Sequence, residues 1–167
     1  KNSRFINGAT ALYTDNHKRL TIQNNVFENA YYMGLYLYQT TDLIMEKNTI
    51  SSNSAYTSFY GAYIYYIYGK NKISGNRITG PNKSEYAGLY MYSIQANVAE
   101  DSTYIFNNSI SVGGSNAQYA VYIYDAENTY FCNNNLHYYS TYTSSHWALR
   151  MRYLYNCKVL NNNFTDN

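Results

Sequence analysis

One short phrase, Asn-x-apolar, returns six times along the chain and restricts its fold more than any other feature. The copies end at Phe27, Ile50, Ile78, Ile110, Leu136 and Phe164, at intervals of 23, 28, 32, 26 and 28 residues. Two residues before each end stands Asn25, Asn48, Asn76, Asn108, Asn134 or Asn162, and five before it stands Ile22, Met45, Ile73, Ile105, Phe131 or Val159. A second phrase precedes the first in each unit. It reads GLYLY from Gly34, GAYIY from Gly61, GLYMY from Gly88, AVYIY from Ala120 and ALRMR from Ala148, with a degraded copy, ALYTD, from Ala11.

The second phrase alternates with period two, so Leu35 and Leu37 share one face of a strand and Tyr36 and Tyr38 the other. Units this short, with strands and no amphipathic helix, cannot bury their own apolar faces. They must stack on their neighbours. A leucine-rich repeat needs a denser leucine pattern, and a propeller blade needs about 40 residues or more. The pattern therefore predicts an all-β solenoid of about six coils, with the Asn slot and the apolar slot five before the phrase end both facing inward.

Composition agrees. The 167 residues fit one domain and 46% are hydrophobic, enough for a continuous core. Tyr occurs 24 times, against 6 Phe, 1 Trp and 1 Pro. Tyr favours strands, while the abundant Asn tolerates turns and left-handed backbone. Only 13% of residues are charged, with a net charge of +2, so nothing points to nucleic acid as a partner. No apolar run is long enough for membrane insertion, and the first residues lack the layout of a signal peptide. Cys132 and Cys157 are too few for a disulfide framework. In the repeat register Cys157 aligns with Thr129, which places the pair poorly for a bridge.

The paired phrases resemble the right-handed parallel β-helix family, the pectate-lyase-like superfamily with its NosD-like and surface β-helix repeat proteins. The resemblance covers nearly the whole chain. It implies one parallel β-helix domain over residues 1–167, with three short sheets along the coil axis. It also implies an inward Asn ladder in which side-chain amides hydrogen-bond from coil to coil, as in cross-β stacks.

Fold does not supply function, which must come from a site. The outward residues of the alternating phrase form two columns: Tyr36, Tyr63, Tyr90 and Tyr122, then Tyr38, Tyr65, Tyr92 and Tyr124, continued by Arg150 and Arg152. These ten residues are the candidate ligand-binding set. An exposed strip of eight tyrosines suits the faces and hydroxyls of a polysaccharide, or the surface of a protein. In-register aromatics also stabilise a sheet without any ligand, and the arginines read equally as a solvated coil end.

The resemblance also carries an enzymatic alternative, a polysaccharide lyase with aspartates for Ca²⁺ and an Arg base, or a glycoside hydrolase with paired carboxylates. Here the outward columns hold no acid but Asp15, in the degraded copy. Asp42, Asp101, Asp125 and Glu127 belong to turns in different registers, and turn acids usually satisfy backbone donors. No catalytic residue is assigned. His17, His137 and His146 fall in dissimilar positions, so neither a metal nor another cofactor is expected.

The long connections, 51–60, 79–87, 111–119 and 137–147, share one corner, and Ser93–Ser102 is the long excursion at the opposite one. Trp147 precedes the last strand and is expected at a coil edge. Neither end shows a recognisable cap, which suggests a segment of a longer protein or end-to-end self-association. The expectation is an extracellular or cell-surface β-helix, acting as a stalk or adhesin module rather than an enzyme.

Overall fold

The residue just before each ladder asparagine decides where the chain turns. Asn24, Lys47, Gly75, Asn107, Asn133 and Asn161 all have positive φ, between 52° and 63°. One left-handed residue swings the chain sharply between two strands, and Asn and Gly adopt that conformation at least cost. This accounts for the Asn-Asn doublets, in which the first Asn makes the turn and the second enters the core. A computed structural model describes residues 1–52, 59–80, 85–96, 98, 100–113, 119–139 and 147–166.

Three sheets result, and every strand pairing among them is parallel. The long sheet stacks Thr10–Lys18, Met33–Thr41, Phe59–Tyr68, Glu85–Gln95, Tyr119–Glu127 and Trp147–Tyr155. A second sheet stacks Thr21–Gln23, Ile44–Glu46, Asn71–Ser74, Thr103–Phe106, Thr129–Cys132 and Lys158–Leu160. The third has seven strands, from Arg4–Ile6 through Val26–Glu28, Thr49–Ser51, Arg77–Thr79, Ser109–Gly113 and Asn135–Tyr139 to Asn163–Asp166. The chain visits the sheets in turn and returns, which is a parallel β-solenoid. Two sheets hold six strands and the third seven, in line with the six repeats read from the sequence.

The asparagines lie inside. Asn25, Asn48, Asn76, Asn108 and Asn134 are buried, while Asn162, in the last coil, is half-buried. Each side-chain amide donates to the carbonyl oxygen of the next: Asn25 to Asn48 at 3.2 Å, Asn48 to Asn76 at 2.9 Å, and the following three steps at 3.0 Å. The second proton goes to a backbone carbonyl one coil back, as from Asn108 to Ile73 at 3.0 Å. The side-chain oxygen also accepts a backbone N–H, as from Asn76 to Asn108 at 3.0 Å. At Asn48, Asn76, Asn108 and Asn134 both protons and both lone pairs are used, so burial of these amides carries no unmet polar group.

Beside the ladder, Ile22, Met45, Ile73, Ile105 and Phe131 stack in one buried column, and Phe27, Ile50, Ile78, Ile110 and Leu136 in another. Leu35, Leu37, Ile64, Leu89, Met91, Val121 and Ile123 close the core from the long sheet. Both thiols are free, and Cys132 lies in register with Leu160.

The long connections are all shorter than expected: strands take in Ser51, residues 59–60, Thr79, residues 85–87, residues 111–113, Tyr119, residues 137–139 and Trp147, and at the opposite corner residues 93–95. The segment starting at 137 is not all corner loop: the third sheet extends to Tyr139, and Tyr138 is fully buried opposite Val112. Tyr60 likewise belongs to a strand. Longer pairing in this coil draws Tyr138 inward, where its ring fills core volume. The middles of the four long connections, with Tyr56 and His146, fall outside the described residues.

Candidate functional site

The strands of the long sheet are not straight. Asn16, Gln39, Tyr66, Ser93, Asp125 and Tyr153 occupy one register and all have positive φ, from 51° to 59°. This column of left-handed residues bends every strand just beyond its second outward column, which holds Asp15, Tyr38, Tyr65, Tyr92, Tyr124 and Arg152. At Tyr66 and Tyr153 a bulky side chain adopts a conformation that costs free energy, so neighbouring contacts must offset it. The bend sets the Tyr66 ring edge-on to Tyr65, 4.4 Å between centroids, and Tyr153 edge-on to Tyr124 at 4.8 Å.

The two tyrosine columns stand in the pairing register read from the sequence. Tyr36, Tyr63, Tyr90, Tyr122 and Arg150 form one, and Tyr38, Tyr65, Tyr92, Tyr124 and Arg152 the other. Tyr63 stacks on Tyr90 at 4.8 Å and 8°, Tyr65 on Tyr92 at 4.7 Å and 15°, and Tyr92 on Tyr124 at 4.8 Å and 6°. These spacings repeat the separation of adjacent strands, about 4.8 Å, so the backbone imposes the stack. Tyr13 extends the first column, tilted against Tyr36 at 5.2 Å, while Asp15 stands opposite Tyr38.

The strip is less exposed than expected. Tyr122 is only 8% accessible and the other seven tyrosines are half-buried. Period-two alternation tells which face a ring occupies but not what lies beside it. A third set of rings flanks the first column: Tyr60 sits edge-on to Tyr63 at 5.1 Å and to Tyr90 at 5.7 Å, and Tyr119 tilts onto Tyr122 at 4.7 Å. With Ala87 these rings make a small apolar cluster of their own. Trp147 opens the last strand in register with Tyr119 and stacks on it at 5.6 Å and 15°. The missed signal was an aromatic residue immediately before the small residue of the phrase, as in Tyr60-Gly61, Tyr119-Ala120 and Trp147-Ala148.

The arginines cap the strip. The Arg150 guanidinium lies 4.3 Å over Trp147 and donates to the Tyr119 hydroxyl at 3.1 Å, and Arg152 lies 5.2 Å over Tyr153. Such cation–π contacts hold the charges against ring faces.

A hydrogen bond with Tyr66, reinforced by burial and by neighbouring phenols, pushes the Tyr65 pKa up to about 12. An ordinary tyrosine ionises near about 10. Tyr65 therefore favours the folded state below the unfolded pKa, and that contribution fades as pH rises through the folded one. In an ultraviolet titration of wild type minus Tyr65→Phe, the missing transition is expected well above that of an ordinary tyrosine, and Tyr66→Phe should lower it. A transition near about 10 would remove the hydrogen bond from this account.

The acids read as catalytic alternatives are occupied locally. Asp125 accepts from the Ser93 hydroxyl at 3.1 Å, Glu127 from the Ala96 backbone at 3.3 Å, Asp42 from the Lys70 backbone at 2.9 Å and Asp101 from the Val98 backbone at 3.3 Å. Among the described residues, no three His, Cys, Asp or Glu side chains gather as a metal site. His137 sits edge-on to Tyr139 at 5.6 Å. Among the described residues, no helix is long and apolar enough to cross a membrane.

Comparison with curated proteins and with solved structures finds no match. A family model described as a right-handed β-helix region matches residues 1–167. The Asn ladder, the three parallel sheets and this match over the whole length place the chain in the right-handed β-helix family.

Proposed function

We propose that the chain is a non-catalytic module of an extracellular or cell-surface protein, a rigid stalk or adhesin segment whose tyrosine strip binds glycan or protein. The observation that carries this reading is the continuous ring surface on the long sheet, with columns stacked at about 5 Å and capped by Arg150 and Arg152. Rings already held by their neighbours lose little freedom on contact, so more of the interaction appears as affinity. Their hydroxyls serve a sugar or a polar protein surface equally well. Against lyase or hydrolase chemistry, Asp125 and Glu127 stand at the end of a strand and accept from Ser93 and Ala96 of the preceding coil, whereas a glycosidase needs two carboxyls facing a bound sugar.

Replacing Tyr63, Tyr65, Tyr90 and Tyr92 together with Ser is expected to abolish measurable binding on a glycan array or to a captured protein partner, since central aromatic anchors carry about 2 kcal/mol or more each. Circular dichroism should still report a stacked β-structure. The control replaces Tyr31, Tyr68 and Tyr155, outside the strip, and should bind nearly as wild type does. Intact binding after the strip change would reduce these tyrosines to a structural role. Incubation with acidic and neutral polysaccharides, with and without Ca²⁺, is expected to release neither unsaturated nor reducing ends. Turnover lost in Asp125→Asn or Glu127→Gln would establish the enzymatic alternative.

A further inference from the structure

The outer face of the second sheet carries a cavity that the reading above does not use. Ile44, Lys72, Tyr104 and Tyr130 stand in one outward register, with Glu46, Ser74 and Phe106 in the next. Tyr104 lies face to face on Tyr130, at 4.9 Å and 13°, yet remains 46% exposed. One ring face is therefore covered and the other turns toward the Lys72 strand. Lys72 does not fill that space. Its ammonium is drawn aside to Glu46 at 2.6 Å and lies 5.7 Å over the Phe106 ring. Glu46 is fixed in turn by Gln23 at 2.9 Å and Ser74 at 3.1 Å.

The resulting cavity measures about 500 Å³, with Ile44, Tyr104 and Phe106 as its apolar floor and Lys70, Glu100 and Ser102 at its rim. Sites for small molecules span about 300–1,000 Å³ and combine apolar walls with a few convergent polar groups. The charges select among ligands. Lys70 and Lys72 are balanced by Glu46 and Glu100, so the site has no net field with which to concentrate an ion. What it offers is an open phenol face bordered by an ammonium, a hydroxyl and a carboxylate, both donors and acceptors. A pyranose presents the matching surface, with C–H bonds on its face and hydroxyls around its edge.

We propose that this cavity is a second binding site, on a different sheet from the tyrosine strip, for a neutral hexopyranose ring stacked on Tyr104 with its hydroxyls on Lys70, Ser102 and Glu100. It does not depend on what the strip binds, because the two faces share no residue.

The test is a two-dimensional NMR titration of the full chain with maltohexaose, cellohexaose and mannohexaose, and with hexagalacturonate as the anionic probe. At least one neutral probe should give saturable shifts centred on Ile44, Ser102 and Tyr104, with the anionic probe weaker there. Tyr104→Ala should weaken that binding about tenfold or more. Lys70→Met combined with Glu100→Gln, which alters only rim side chains, should do the same while the thermal midpoint is retained. Tyr90→Ser, on the other sheet, should leave these shifts unchanged. No saturable shift at Tyr104 with any neutral probe would overturn the proposal, as would tighter binding of hexagalacturonate or unchanged affinity in both cavity variants. Shifts confined to Tyr63, Tyr65, Tyr90 and Tyr92 would also reject it while supporting the strip.

Discussion

Gly61→Ala is expected to destabilise the chain by about 3 kcal/mol, the upper part of the range for overpacking, although it adds a single methyl group. A Cβ at Gly61 would run into the Ile78 side chain and the backbone carbonyl of Gly88. The carbonyl belongs to the next coil and is fixed by the strand ladder, and Ile78 is 1% accessible within the packed core. Neither can yield without moving a coil. Gly34 and Gly88 meet the same obstruction from Ile50 and Ile110. The column ends in Ala120 and Ala148, where a methyl group is accommodated, so Ala120→Gly should cost no more than about 1 kcal/mol. Each coil is held mainly by its neighbours, so a break at the third strand of the long sheet should loosen the stack on both sides. Urea midpoints of the two variants check this. An unchanged midpoint for Gly61→Ala would mean that the coils stack more loosely than the structure shows.

Asn108→Ala is expected to cost about 3 kcal/mol, because it leaves several buried groups unmet rather than removing one bond. The backbone N–H and side-chain amide of Asn76 both lose their acceptor, and the Ile73 carbonyl loses its donor. Water cannot reach these groups, since Asn76 is 1% and Asn108 is 2% accessible. Asn162→Ala removes the terminal rung, where the side chain is half-buried and solvent can replace lost partners, and should cost about 1 kcal/mol or less. The contrast between the two, read from thermal or urea unfolding, is the signature of a ladder. Equal small effects would make these asparagines ordinary turn residues.

The columns along the coil axis were legible because a parallel stack places equivalent residues directly above one another, so a repeat in sequence becomes a line in space. Asn25 to Asn162, Ile22 to Phe131 and Tyr36 to Tyr122 followed from spacing alone. Alternation within a strand then separated core from surface. A second buried polar rung, in which Asn71 donates to the Thr103 hydroxyl at 3.0 Å, carried no comparable signal, because different residue types hold equivalent positions.

Contacts across the columns were decided only by the tertiary structure. Tyr60, Tyr119 and Trp147 border the strip because of where each strand begins, and Tyr66 and Tyr153 border it because a left-handed backbone turns them there. Tyr138 lies in the core because one strand runs longer than its repeat suggests. The cavity beside Tyr104 exists because Lys72 leans toward Glu46 instead of standing straight out. Period and spacing determined stacking and facing, since those follow from backbone geometry shared by every coil. Lateral neighbours depend on connection length, local bends and the reach of individual side chains, which differ from coil to coil and are resolved only when the coils pack.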